Sequence, residues 1–121
     1  MKILNLFFLL IYLTFSAQGI RNKKISENVW NLSVQTTKNY EESFENGKKM
    51  LTLSISDEDR AKSYGHKADA KRKQMEYTKS IKLFEKADYY AKKSNFYSER
   101  LMIKQNSSIT EIILRMDKFY P

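Results

Sequence analysis

Cysteine is absent from this chain. Its absence excludes a disulfide framework, thiolate zinc sites and a cysteine nucleophile. Proline occurs once, as the last residue, and glycine three times, so very little interrupts a helix. The single histidine, His66, has no second histidine or cysteine with which to build a metal centre or a nucleophile–base pair. Beside Gly65, His66 reads as an exposed surface residue. No glycine-rich phosphate loop occurs. Acids are the scarcer charge, 14 Asp and Glu against 22 Lys and Arg, for a net charge of +8. The acids are scattered among the lysines, so the plainest reading of that excess is a solvated basic surface; an acidic partner or an anionic surface is the sharper one.

A chain of 121 residues makes one small domain. Small domains bury proportionately less surface, so its helices must share a seam. At the N-terminus, Lys2 precedes an apolar run from Ile3 to Phe15, followed by Ser16–Ala17–Gln18–Gly19. That pattern reads as a signal peptide over residues 1–19, cleaved near Ala17 or Gly19, and the chain is expected to be exported, periplasmic or secreted. The run is shorter than the ~20 residues a spanning helix needs. Membrane attachment is therefore expected only if this segment stays uncleaved. Residues 20–25, with Arg21, Lys23 and Lys24, read as a mobile basic linker.

From residue 26 onward the pattern is helical. Ser26 is a candidate cap for a first helix carrying Val29 and Trp30, with Trp30 in the core or on a groove wall. Asn39 caps a second helix whose expected buried stripe is Tyr40, Ser43, Phe44, Gly47, Met50, Leu51 and Ser54. Gly47 costs this helix about 0.5–1 kcal/mol relative to Ala, which close approach of a neighbouring helix explains. Ser54–Asp59 is the clearest break. Ser56 or Asp57 caps a third helix, and Asp57, Glu58 and Asp59 suit its positive end better than paired-carboxylate catalysis. Ala61, Tyr64, Ala68 and Met75 are expected to face inward there. The strongest helix runs from Tyr77 to Asn95, with Tyr77, Ser80, Ile81, Phe84, Ala87 and Ala91 on one face. Phe96 to Ile103 begins another, softly interrupted at Gln105–Ser108, before the apolar stripe Ile109, Ile112, Ile113, Met116 and Phe119.

Tyr40–x–x–Ser43–Phe44 returns as Tyr77–x–x–Ser80–Ile81, 37 residues on. Tyr77–x–x–Ser80–x–x–x–Phe84–x–x–Ala87 resembles the second helix of the tetratricopeptide repeat family, with Tyr64 and Ala68 at that family's first-helix positions. The resemblance covers residues 26–121 as two helix pairs and an incomplete third. It departs from the family in its period, about 34 there. It departs too in Ser80 for Ala, in Gly47 for an aromatic, and in lacking the closing proline. The expected fold is all-α: helix–turn–helix repeats forming a short right-handed solenoid or a small helical bundle.

The resemblance implies a protein-binding module without catalytic activity, cofactor or metal, whose groove is lined by the first helix of each pair. Lys62, Asp69, Arg72 and Lys73 are the candidate contact residues for a protein or an acidic peptide. Homodimerisation through the C-terminal stripe is the other expected partnership, and nucleic acid is not expected for an exported chain. Two further readings stand beside this one. The chain also reads as a small basic envelope chaperone or anionic-surface-binding helical protein, or as the truncated N-terminal sensor part of a larger membrane regulator.

Overall fold

The computed structural model describes residues 24–119. The expected signal peptide and most of the expected linker lie outside the described residues. Among the described residues there are five helices and no strand. They are α1 (Glu27–Ser33), α2 (Tyr40–Leu53), α3 (Asp57–Lys73), α4 (Tyr77–Lys93) and α5 (Tyr97–Phe119). The molecule is an all-α bundle.

The helix starts follow local chemistry. The Glu42 N–H donates to Asn39 Oδ1 at 2.8 Å, and the Lys38 N–H donates to Glu42 Oε2 at 2.9 Å, so two N–H groups at the start of α2 are satisfied by side chains. The Asp59 N–H donates to Ser56 Oγ at 3.1 Å, which caps α3. Ser26 occupies the cap position of α1 without a side-chain capping bond. Its backbone N–H donates instead to Asp59 Oδ1 at 2.8 Å, and Asp59 Oδ2 accepts from the Ile55 N–H at 3.1 Å. Asp59 is fully buried. This acid, expected to serve only the start of α3, ties the segment before α1 to the bundle. Ile25 is buried with it, so the end of the expected linker belongs to the core.

The α3–α4 and α4–α5 turns are built alike. Glu76 N–H bonds Lys71 O at 2.9 Å and Met75 N–H bonds Arg72 O at 3.0 Å; Phe96 N–H bonds Ala91 O at 2.8 Å and Asn95 N–H bonds Lys92 O at 3.2 Å. Each is a Schellman closure around one left-handed residue, Met75 at φ 65° and Asn95 at φ 57°. Met75 is therefore no inward residue. The left-handed turn throws its side chain into solvent, 75% exposed. The expected interruption at Gln105–Ser108 does not occur, and α5 runs unbroken through it. Asn and Ser cost a helix only a few tenths of a kcal/mol each. Burial of Ile103 and Thr110 on either side outweighs that.

The helices alternate between two layers. α3 touches both α1 and α5, whereas α2 and α4 do not touch each other. Small residues let the layers close: Ala61, Ala68, Ala87 and Ala91 are fully buried, and Ser80 Oγ donates to Ala68 O at 2.8 Å. Phe84, Met50, Val29 and Ile103 fill the space between. Gly47 meets α3 as expected, since a Cβ there would lie 2.5 Å from Lys67 Cγ and 3.3 Å from Lys67 N. The second-helix stripe is narrower than expected: Met50 and Gly47 are buried, but Tyr40 is exposed. Ile109, Ile112, Met116 and Phe119 of α5 are exposed.

Candidate functional site

Where α1, α3 and α5 meet, they leave a cleft of about 230 Å³. Each helix contributes by its period. One turn of spacing along α3 brings Lys62, Gly65, His66 and Asp69 to it, and the same spacing along α5 brings Glu99, Met102, Ile103 and Asn106. Ser33 closes the α1 end, and Phe84 of α4 reaches through the seam to form the floor. The buried base holds Phe84, Ile103 and Glu99, and the more open rim holds Lys62, His66, Asp69, Met102 and Asn106.

The charged groups differ sharply in how they are satisfied. Asp69 accepts a hydrogen bond from the Arg72 guanidinium, and Lys73 Nζ lies 3.0 Å from its other oxygen. Burial alone would raise the Asp69 carboxyl, but those two cations bring it net below its usual value. Lys62 Nζ lies 5.9 Å from the Trp30 ring centroid, a cation–π contact at the rim. His66 Nε2 is 3.2 Å from Ser43 Oγ of α2. Burial, then the neighbouring Lys62 ammonium, holds His66 below its usual pKa of 6.5, so its neutral form is favoured.

Glu99 is different. It is only 8% exposed, and among the described residues no hydrogen bond or ion pair reaches its carboxylate. Burial pushes its carboxyl above the usual range, and Lys62 partly offsets this. The nearby Arg100 is committed to Asp88 at 3.1 Å.

Of the four residues expected to contact a partner, Lys62 and Asp69 line the cleft. Arg72 and Lys73 lie beside it, both engaged by Asp69. Trp30 is half-buried and packs against the core beside the cleft, which it does not line. Two cleft residues escaped the sequence reading. His66 is not an exposed surface residue; it is half-buried against α2. Glu99 carried a readable signal, since it falls between Phe96 and Ile103 on the inward stripe of α5, an acid where an apolar residue belongs.

A second feature lies on the opposite side. Lys71, Lys48 and Lys67 sit 4.2, 5.2 and 5.4 Å from the Phe44 ring centroid, and Lys67 and Lys86 sit 5.4 and 5.5 Å from that of Tyr64. Tyr64 stacks on Tyr90 at 5.6 Å. Burial, then repulsion from Lys86, Lys48 and Lys71, lowers the Lys67 pKa.

Among the described residues no cluster of acids and histidine is placed to hold a metal ion, and no helix is long and apolar enough to cross a membrane. No protein-family model, no curated protein and no solved structure matches the chain.

Proposed function

We propose that this chain is an exported protein-binding module without catalytic activity, in which the layer of α1, α3 and α5 is the contact surface and the cleft its centre. The observation that carries this reading is the alternation of layers. α3 bridges α1 and α5 while α2 and α4 stay apart, which is the arrangement that helix pairs of the tetratricopeptide kind use to present a groove. The cleft lining is mixed, with Phe84, Met102 and Ile103 set among Lys62, His66, Asp69, Glu99 and Asn106, as the contact surfaces of protein–protein complexes are.

The test is a peptide library displayed against the immobilised full chain. Selected peptides should bind the wild type, and a bulky change at the cleft rim, Met102→Trp or Asn106→Trp, should weaken them about tenfold or more. Peptides unaffected by both changes sink the groove reading. The reading extends to pairing of α5 with a second copy of the chain, supported by the exposure of Ile109, Ile112 and Met116. Light scattering on the full chain, with Ile112→Glu as control, decides that part.

The lysine cluster around Phe44 and Tyr64 favours a second reading, adhesion to anionic surfaces. Repulsion from Lys86, Lys48 and Lys71 falls on Lys67; Lys48 and Lys71 are paired with Glu45 and Glu76, which leaves Lys67 and Lys86 as the cations that an external anion would relieve. Co-sedimentation with phosphatidylserine-containing vesicles should then fall steeply with salt. Equal binding to neutral vesicles removes this reading.

A further inference from the structure

Glu99 poses a problem that the fold itself does not solve. A carboxylate largely withdrawn from water is costly unless it is paired. Among the described residues nothing pairs with this one, although cations stand close by. Arg100 is engaged by Asp88 and the Lys62 ammonium is drawn toward Trp30. Glu99 is in the first turn of α5, but no hydrogen bond joins its side chain to the free N–H groups there, so capping does not explain it. It lines the cleft at 8% exposure.

Gly65 supplies a second observation. Gly47 lacks a side chain because Lys67 would collide with one. No such collision exists at Gly65: a Cβ there would meet Glu99 Oε1 at 3.7 Å, an ordinary contact, with nothing nearer. Neither a left-handed turn nor a tight helix crossing requires glycine at this mid-helix position. What the missing side chain does is leave the space in front of the Glu99 carboxylate open.

We propose that the cleft is a socket for one basic side chain, lysine or arginine, of a protein partner, with its cation paired to Glu99 and its methylene stem lying on Phe84, Met102 and Ile103. This rests on the groove reading above and names what the groove takes. The volume, about 230 Å³, is below the ~300–1,000 Å³ of ordinary small-molecule pockets and suits a single side chain. Glu99 is buried at the base beside Phe84 and Ile103, with Met102 nearer solvent, so a cation that enters first can pair with the carboxylate while its methylene stem lies on apolar surface. Asp69 does not compete for the incoming cation, because Arg72 and Lys73 already neutralise it.

The experiment is an NMR titration of the ¹⁵N-labelled full chain with three capped amino acids: N-acetyl-lysine, N-acetyl-norleucine and N-acetyl-glutamate methylamides. The lysine probe should give saturable shifts at the amides of Gly65, His66, Glu99 and Asn106. The norleucine probe, which keeps the stem and lacks the charge, should bind at least about tenfold more weakly, and the glutamate probe should not saturate. Glu99→Gln should weaken the lysine probe by about tenfold or more while leaving amide shifts outside the cleft in place. Gly65→Leu, which fills the cleft and keeps Glu99, should abolish binding, so the proposal stays falsifiable if one variant misfolds. Lys62→Met should leave the lysine probe unchanged or tighten it. Equal binding of norleucine, preference for glutamate, an absence of shifts, or indifference to Glu99→Gln each overturns the socket. Displayed peptides that bind the groove but ignore Glu99→Gln reject the socket and keep the groove reading. Saturable lysine binding with no selectable peptide does the reverse.

Discussion

At the scale of the residue, two helical glycines carry opposite meanings. Both sit mid-helix, where glycine costs about 0.5–1 kcal/mol relative to alanine. At Gly47 the cost is offset by closeness: α2 and α3 approach until Lys67 backbone atoms lie 3.3–3.4 Å from where a Cβ would be. Gly47→Ala is expected to force the helices apart and lower stability by about 1–3 kcal/mol. Gly65→Ala meets only an ordinary contact and is expected to raise stability by about 0.5–1 kcal/mol. Thermal or denaturant melts of the two variants give opposite signs if the packing is right. His66 offers a spectroscopic counterpart, because it is the only histidine in the chain. Its ring-proton titration should give a pKa below 6.5, and Lys62→Met should move that pKa upward by removing a repelling cation. A midpoint at or above 6.5 contradicts its burial.

At the scale of the element, α1 and the turns show how local sequence and tertiary contact divide the work. α1 has seven residues, far too few to be stable alone. It is held by Val29 and Ile25 in the core and by the Asp59 carboxylate on the Ser26 N–H. Asp59→Ala leaves the Ser26 and Ile55 amides without their acceptor and should cost about 1–3 kcal/mol. Hydrogen exchange should show the Ser26 and α1 amides losing protection before those of α4. Uniform loss across all helices would mean that α1 is not a separately held unit. The two Schellman turns differ only in what occupies the left-handed position. Asn95 tolerates it and Met75 does not, so Met75→Gly should stabilise the protein by about 1 kcal/mol, whereas Asn95→Gly should change little.

At the scale of the whole molecule, the layering puts a buried acid where three helices meet, and that has a consequence for stability against pH. The Glu99 carboxyl titrates higher in the folded chain than in the unfolded one. Below the unfolded value, near ~4.3, both states hold the proton and there is no penalty. As pH rises through the folded value, the unfolded chain ionises more readily and stability is lost. Glu99→Gln removes the titration. It is therefore expected to raise the melting temperature at pH 7 and to lose that advantage as pH falls toward 4. An advantage that does not change with pH would mean that folding leaves the Glu99 pKa unshifted, and a lower melting temperature for Glu99→Gln at pH 7 would mean that the carboxylate is already paired.

The helices themselves were written in the chain: the 3.6-residue recurrence of Tyr77, Ser80, Phe84 and Ala87, the caps at Asn39 and Ser56, the scarcity of glycine and proline. These are local signals, governed by backbone hydrogen bonding and side-chain spacing within one turn, and they were sufficient for an all-α bundle. Gly47 was legible too, because only a close neighbour explains glycine inside a helix. What depended on the tertiary structure was everything decided by a neighbour distant in sequence. Asp59 became a tie only because Ser26 folds back onto it. Met75 left the core because the Schellman closure needs a left-handed residue at that place, and Arg72 and Lys73 were neutralised because Asp69 stands within reach of both. Glu99 announced itself as an acid on an apolar stripe. Its lack of a partner is a sum over α1, α3, α4 and α5 together, and no single stretch of the chain contains that sum.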